Sequence, residues 1–426
     1  MNRFRLPVLV LILLSLFCIP TGAVSLVNAS DTTGPAPVWS DQIGESDIGF
    51  GFLVAVSGDG RYIVSGSDTG KIRFYNNLGD ILWTARAPPR IWDLQISRNG
   101  EYIAAATSEN IFYFNRSGNL IGNYSFMGGN FRVVLSGDGR TIVIPRGLGL
   151  SLINATTGQV KELPCNAAVA AVAISDDGRY IAAGTVCRGG QVFLFDSKGD
   201  LVWSNSTSRD AGHCNGVRNI QLSQEGGIVM AEDTGKVFFF TSNGDFQGVY
   251  SHDDDLGRPA VIKLSDSGEF AVVYSSSKVT YIEKTGKPLW NQNVNSAAGI
   301  RLNPYSDGDV SLSGDGQYVA VTDDYYLSVY DRGGRFLWRY HLPSLGRSVA
   351  LSHDGKYIAM GTQDSMTFFN IDGTPTMPEP VITQTSPVPK SVPVTTGTPR
   401  ASLPVFIVML ALGVGGIIYG QNGKDW

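Results

Sequence analysis

Histidine and cysteine are scarce in this chain, with four of each among 426 residues. Cys18 lies in an N-terminal apolar run, which leaves Cys165, Cys187 and Cys214 for a folded domain. The one metal reading open to them adds His213 to the three thiols, and those residues lack the close ligand spacings of zinc sites. Charged residues make up only 17% of the chain, the net charge is −5, and no long basic run exists. Nucleic-acid binding therefore has no electrostatic support. The Gly-x-Ser-x-Gly elbow, the phosphate loop and the His-Glu-x-x-His motif are all missing. The sequence calls for no cofactor and no metal. Long apolar runs are confined to the two ends, Leu6–Ile19 and Leu403–Tyr419.

Between those ends one phrase recurs eight times: apolar–x–apolar–Ser, then a turn closing on Gly. The copies end at Gly60, Gly100, Gly139, Gly178, Gly226, Gly268, Gly316 and Gly355, spaced 40, 39, 39, 48, 42, 48 and 39 residues apart. A period near 40 built of short strands predicts a β-propeller. Each repeat reads as four strands. The phrase is the first, and the glycine that ends the turn suits positive φ while the preceding Asp bonds its own backbone. A second run follows at once, as in Tyr62-Ile-Val, Tyr180-Ile-Ala-Ala and Tyr357-Ile-Ala-Met. The third runs, such as Val192-Phe-Leu-Phe and Val237-Phe-Phe-Phe, are apolar at successive positions and so buried on both faces. The fourth follows a Gly turn and often carries Trp: Trp83, Trp203, Trp290 and Trp338.

The eighth repeat stops after its third strand, at Asp372-Gly373, while Pro37–Ile43 precedes the first repeat and carries its own Trp39. That segment is expected to complete the last blade and close the ring, since an open ring leaves unpaired edges. The expected fold is all-β: an eight-bladed propeller of four-stranded antiparallel blades over residues 36–374. Seven blades result if the weak repeat around Gly139 is absorbed differently.

The Ser-x-Asp-Gly-x-Tyr-Ile-Ala phrase resembles WD40-like propellers. The Asp/Asn-x-x-Gly-x-x-x-Trp segments resemble the tryptophan-docking repeat of pyrroloquinoline-quinone-type propellers, which are commonly eight-bladed. Two departures stand out. The third strands end in Tyr75-Asn, Phe114-Asn, Phe195-Asp and Tyr330-Asp rather than Trp-Asp, and the docking spacing is one residue short in most blades. No adjacent cysteine pair of the kind seen in many quinone-dependent alcohol dehydrogenases is present. The likeness implies a propeller scaffold and argues against quinone catalysis.

The N-terminus reads as an export signal within residues 1–29: Arg3 and Arg5, the apolar core, then small residues at Thr21–Ala23 and Val27–Ala29. Bulky Phe17 before Cys18 argues against lipidation, and an uncleaved anchor is the alternative. Residues 375–400 are rich in Pro, Thr, Ser and Val and read as an extended stalk. Residues 403–420 read as a short transmembrane helix, near the low end of the roughly 17–25 residues such helices need, and 421–426 as a cytoplasmic tail. A processed sorting tail is the alternative. Stalk plus helix resembles the anchors of archaeal cell-surface proteins, which places the propeller outside a cell membrane on a single-pass tether.

Export also suits four sequons, Asn115, Asn123, Asn154 and Asn205, and oxidation of a cysteine pair. Cys187–Cys214 is the preferred disulfide because both fall in lengthened loops; Cys165–Cys187 is its rival. The acidic run Asp253–Asp255 and the pair Asp307, Asp309 read as solvated loops rather than calcium sites, because alternate-residue ligand spacing is missing. His353 occupies the second position of a turn and reads as structural.

An arginine precedes most first strands: Arg90, Arg132, Arg218, Arg258 and Arg347, with Trp92 and Phe131 beside two of them. First strands line the channel of a propeller, so these residues fall near one mouth. There they are expected either to hold a carboxylated or sulfated glycan or an acidic peptide, or to pair with loop carboxylates such as Asp93, Asp210 or Asp255. The expected function is a non-catalytic extracellular scaffold for a protein or an anionic envelope glycan. The opposing classes are a propeller hydrolase, lactonase or lyase acting at the mouth, and a structural envelope component.

Overall fold

The computed structural model describes residues 34–42, 52–125, 132–186, 190–207, 216–233, 235–252, 261–275, 278–294, 308–323 and 325–372. The segments read in sequence as an export signal, a stalk and a transmembrane helix lie outside the described residues. So do Phe131, Cys187, Cys214, Asp253–Asp255, Arg258 and Asp307.

Eight four-stranded antiparallel sheets form eight blades. In blade one the strands are Leu53–Val56, Tyr62–Gly66, Lys71–Asn76 and Ile81–Arg86, hydrogen-bonded in sequence order. The repeat around Gly139 is a complete blade: Val134–Leu135, Thr141–Arg146, Gly149–Asn154 and Val160–Pro164. Its first strand is only two residues long, which is why the repeat looks weak in sequence. The count is therefore eight and not seven.

The turn after each first strand is built by the phrase itself. Asp59 Oδ1 accepts from Ser57 Oγ (2.7 Å) and from the N–H of Arg61 (3.0 Å), while Ser57 Oγ accepts from the N–H of Tyr62 (3.0 Å). Gly60 stands at φ 69. The same three bonds recur at Ser136–Thr141, Ser175–Tyr180, Ser313–Tyr318 and Ser352–Tyr357. Second and third strands are buried on both faces, as their unbroken apolar runs require. Each hydrophobic cluster lies between two adjacent blades; Val64, Phe74, Trp83, Leu94 and Ile103, for example, join blades one and two.

Tryptophans of the fourth strands reach the next blade. The indole N–H of Trp83 donates to the Arg116 carbonyl, that of Trp203 to Ser242 and that of Trp290 to Arg332, each at 2.9 Å. Two residues beyond each acceptor stands a positive-φ glycine lying on the indole: Gly118, Gly244 and Gly334. A Cβ at Gly118 would come within 2.7 Å of Trp83.

The ring closes through its leading segment. Trp39–Gln42 pairs antiparallel with Ser365–Asn370, setting Trp39 opposite Phe368, as the sequence predicts. Trp39 then docks on blade one as the other tryptophans dock on their neighbours, donating to the Asn77 carbonyl at 3.1 Å beneath Gly79. Asp41 Oδ2 accepts from Arg73 Nη1 (2.5 Å) and Tyr75 Oη (2.8 Å) of blade one. At the seam itself the pattern breaks. Gly34 packs on Trp338, whose Nε1 is buried without a hydrogen-bond partner among the described residues. A groove of about 530 Å³ opens there beside Asp331, Ile371 and Asp372.

Candidate functional site

Propeller channels are lined by innermost strands, whose outer edges have unpaired backbone N–H groups. In this chain side chains from the preceding blade cap several of them. Asp93 Oδ2 accepts from the N–H of Val133, and Asp309 Oδ2 from that of Val349, both at 3.0 Å. Ser311 Oγ accepts from Leu351 (3.0 Å) and Ser348 Oγ from Val54 (3.4 Å). The caps occupy two columns of the repeat: the x of apolar–x–apolar–Ser, and the residue two positions before it. Asp309 is thus a cap and not the solvated loop acid its sequence suggests. Burial pushes its carboxyl above the usual range, opposed by Lys263, by the N–H groups of Val349 and Val310, and by Arg132.

Where the first strands end, the channel is shut. The residue after each Ser donates or accepts a backbone bond with its counterpart in the next blade. Gly58 bonds to Arg98, Gly137 to Asp176, Asp176 to Gln224, Gln224 to Asp266, Asp266 to Gly314, Gly314 to His353 and His353 back to Gly58, at 2.8–3.0 Å. Asn99 N–H to the Gly137 carbonyl, at 3.4 Å, completes the belt. Inside it the side chains converge. Arg98 donates to Asp176 and, at 2.6 Å, to Asp266 Oδ2. His353 Nδ1 stands 2.7 Å from that same oxygen and against Arg98 Nη2. Gln224, with its amide nitrogen toward Asp266, bridges Asp266 (3.2 Å) and Arg98 (3.1 Å). Glycine at 58, 137 and 314 leaves the room: a Cβ at Gly58 would lie 2.6 Å from Arg98 Cγ, and one at Gly314 would collide with the His353 ring. Burial raises the Asp266 carboxyl above its usual range, and Arg98 draws it back only in part. His353 is structural, as expected, but as part of this plug.

A cavity of about 230 Å³ lies in the channel, bordered by Asp93, Gln95, Arg132, Asn219, Gln221 and Lys263 among others. Of the expected mouth residues that are described, Arg132 alone borders it. Arg90, at φ 72, is exposed in the turn before the first strand of blade two, with its guanidinium 4.8 Å over the half-open Trp92 ring. Arg218 and Arg347 occupy β-bulges in the first strands of blades five and eight. Arg347 Nε is buried without a hydrogen-bond partner among the described residues. Of the loop carboxylates expected to pair with these arginines, Asp210 and Asp255 lie outside the described residues, and Asp93 is engaged by three N–H donors, from Leu94, Gln95 and Val133. Sequence reasoning missed Lys263, Gln221 and Arg98. The signal was present in the repeat as the x column and the second turn position, read down all blades instead of along one.

Cys165 is a free thiol buried between blades three and four, where the apolar surroundings push it up to about 12. The sequons differ in what their amides do. Asn123 is exposed on an outer strand, whereas Asn205 Nδ2 donates to the Gly244 carbonyl of the next blade at 2.9 Å. Asn115 and Asn154 use Oδ1 to cap their own turns. Among the described residues no group of three or more His, Cys, Asp or Glu is placed to hold a metal ion.

The WD domain, G-beta repeat family model matches residues 53–76, in blade one, and 158–196, from the last strand of blade three through the third strand of blade four. The chain is a WD40-like β-propeller. Solved structures agree at the level of fold. BamB from Moraxella catarrhalis superposes with a TM-score of 0.59 at 14% identity, covering 79% of this chain and 99% of that one. The C-terminal WD40 domain of Sif2 gives 0.59 at 14% identity over 80% and 99%. The β-propeller domain of Cps50 (Swd1) from Myceliophteria thermophila gives 0.52 at 13% identity over 78% and 100%. At such identities the likeness speaks for the scaffold alone. No curated protein sequence matches this WD40-like propeller.

Proposed function

We propose that the chain is a membrane-tethered, extracellular propeller that recognises a partner protein without catalysis. The observation that carries this reading is the asymmetry of the channel: a hydrogen-bonded belt and plug at one end, a polar cavity toward the other. A rigid disc with a single open mouth is a preorganised recognition surface, because little conformational entropy is lost on binding. WD40-type propellers commonly bind proteins, which favours a protein over an envelope glycan. The proposed compartment is supported by the export-signal pattern of the N-terminus and by the C-terminal apolar segment.

Arg90 stacked on Trp92 gives the rim an exposed cation–aromatic pair, a residue combination enriched where proteins bind. The test has two arms. Protease added to intact cells should remove the propeller while sparing a C-terminal tag, and protection of the propeller would defeat the extracellular placement. Crosslinking on cells should join the wild-type protein to a partner, and Arg90→Ala with Trp92→Ala should abolish that product. An unchanged product would remove the rim from the site.

A further inference from the structure

We infer that the cavity between Arg132 and Lys263 binds the carboxylate of an acidic side chain presented by a peptide segment of a partner protein. The inference rests on the reading that the open mouth is the recognition face.

The argument starts from the two capping columns. In the column two positions before x, blades two, seven and eight carry Asp93, Asp309 and Ser348, each accepting a backbone N–H of the next blade. In the x column Ser311 does the same. Blade three places Arg132 in the first column and blade six places Lys263 in the second. Neither side chain has an acceptor atom, so neither can cap an N–H. Both border the cavity, Arg132 exposed and Lys263 half-buried, and neither makes an ion pair or side-chain hydrogen bond among the described residues. They occupy capping positions that they cannot serve.

Formal charge in the channel is balanced by Asp93 and Asp309, but hydrogen bonding is not. The carboxylate oxygens are turned onto backbone N–H groups, while a guanidinium with five donors and an ammonium with three face the space between. What Arg132 and Lys263 lack is an anionic acceptor, for which charge-assisted bonds are short and strong. Size narrows the choice. About 230 Å³ is below the roughly 300–1,000 Å³ of pockets that enclose a drug-sized ligand, so one small group enters and not an oligomer. Among the described residues no aromatic ring borders the cavity to stack on a sugar. The amides of Gln95 and Gln221 offer instead the donors and acceptors that a peptide main chain requires.

The experiment measures fluorescence anisotropy of labelled hexaglutamate on the full-length protein in detergent, beside hexaglutamine and a glucuronate oligomer. Hexaglutamate is expected to bind more tightly than the other two, and Arg132→Gln or Lys263→Gln to weaken it at least about tenfold. Lys263→Arg should restore binding, and Arg61→Ala, at an exposed turn on the plugged side, should leave it unchanged. Thermal unfolding of each variant checks that the fold persists. Equal binding by hexaglutamine, equal binding by the Gln variants, or a preference for glucuronate would each overturn the inference. Crosslinking lost in the Arg90, Trp92 variant with no hexaglutamate binding would sink this inference alone. Hexaglutamate binding that depends on Arg132 and Lys263 with crosslinking unchanged would sink only the rim.

Discussion

Arg98 holds more of the channel floor than any other side chain, contacting Asp176, Asp266, His353 and Gln224 from four other blades. Its removal takes from Asp176 and Asp266 the guanidinium they share. Arg98→Ala is expected to lower unfolding stability by about 1–3 kcal/mol, read as a shift of the urea midpoint at constant slope. The buried tyrosines make a second prediction at this scale. Tyr75, Tyr113 and Tyr281 are held above the ordinary phenol value mainly by burial, and Tyr281 Oη donates to the Gly316 carbonyl of the next blade at 2.7 Å. A phenol raised in the folded state contributes stability that is full below its unfolded pKa, near 10, and is lost as pH climbs above it. The urea midpoint is therefore expected to be steady between pH 8 and about 9.5 and to fall beyond about 10. Tyr281→Phe should lower the midpoint by roughly 0.5–1.5 kcal/mol at neutral pH and flatten the alkaline fall; an unchanged alkaline slope would assign the loss elsewhere.

At the scale of the strand and its turn, the docking of fourth-strand tryptophans on the next blade's glycine is the recurring inter-blade joint. Gly118 is constrained twice, by φ 81 and by the Trp83 ring 2.7 Å from a would-be Cβ. Gly118→Ala is expected to cost at least about 1–2 kcal/mol from the backbone alone, seen as a lower thermal midpoint. The same substitution at Gly147, which has positive φ but no heavy atom nearby, isolates the backbone share. The joint was legible in sequence because Gly and Trp recur at a fixed offset, as was the strand order, because runs such as Val237–Phe240 can only be buried on both faces. The short first strand of blade three was harder to read, since two residues carry little periodicity. The plug was invisible along any single repeat. Arg98, Asp176, Gln224, Asp266 and His353 differ in type and meet only across the axis, so their partnership lies in a column that ring closure brings together. Asp309 was misread for a related reason: its acceptor role depends on a neighbouring blade 40 residues further along.

For the molecule as a whole, everything depends on one seam. Trp39 is the only fourth-strand tryptophan donated from the far end of the described chain, and it stacks on both Phe368 (5.4 Å) and Tyr75 (5.1 Å). Trp39→Ala is expected to cost about 3–5 kcal/mol and to loosen the leading strand, exposing the edge of Ser365–Asn370. An unpaired edge recruits other chains, so the variant should elute as oligomers in size-exclusion chromatography where the parent does not. A monomeric Trp39→Ala protein of parental stability would show that the seam is closed by other means. Gly34 packs on Trp338, and Asp372 borders the same groove as that ring, beside turns of the plugged side.

The belt of turn-to-turn hydrogen bonds returns to the residue from which it starts. Open solenoids lengthen one unit at a time, because each new unit needs only a single neighbour. A circle has no such freedom. Inserting or deleting one repeat would change the circumference at every joint at once, and the five side chains packed on the axis would no longer meet. Duplication is therefore closed as a route of change for this protein, and divergence must proceed through substitution within blades and through the length of the loops that join them.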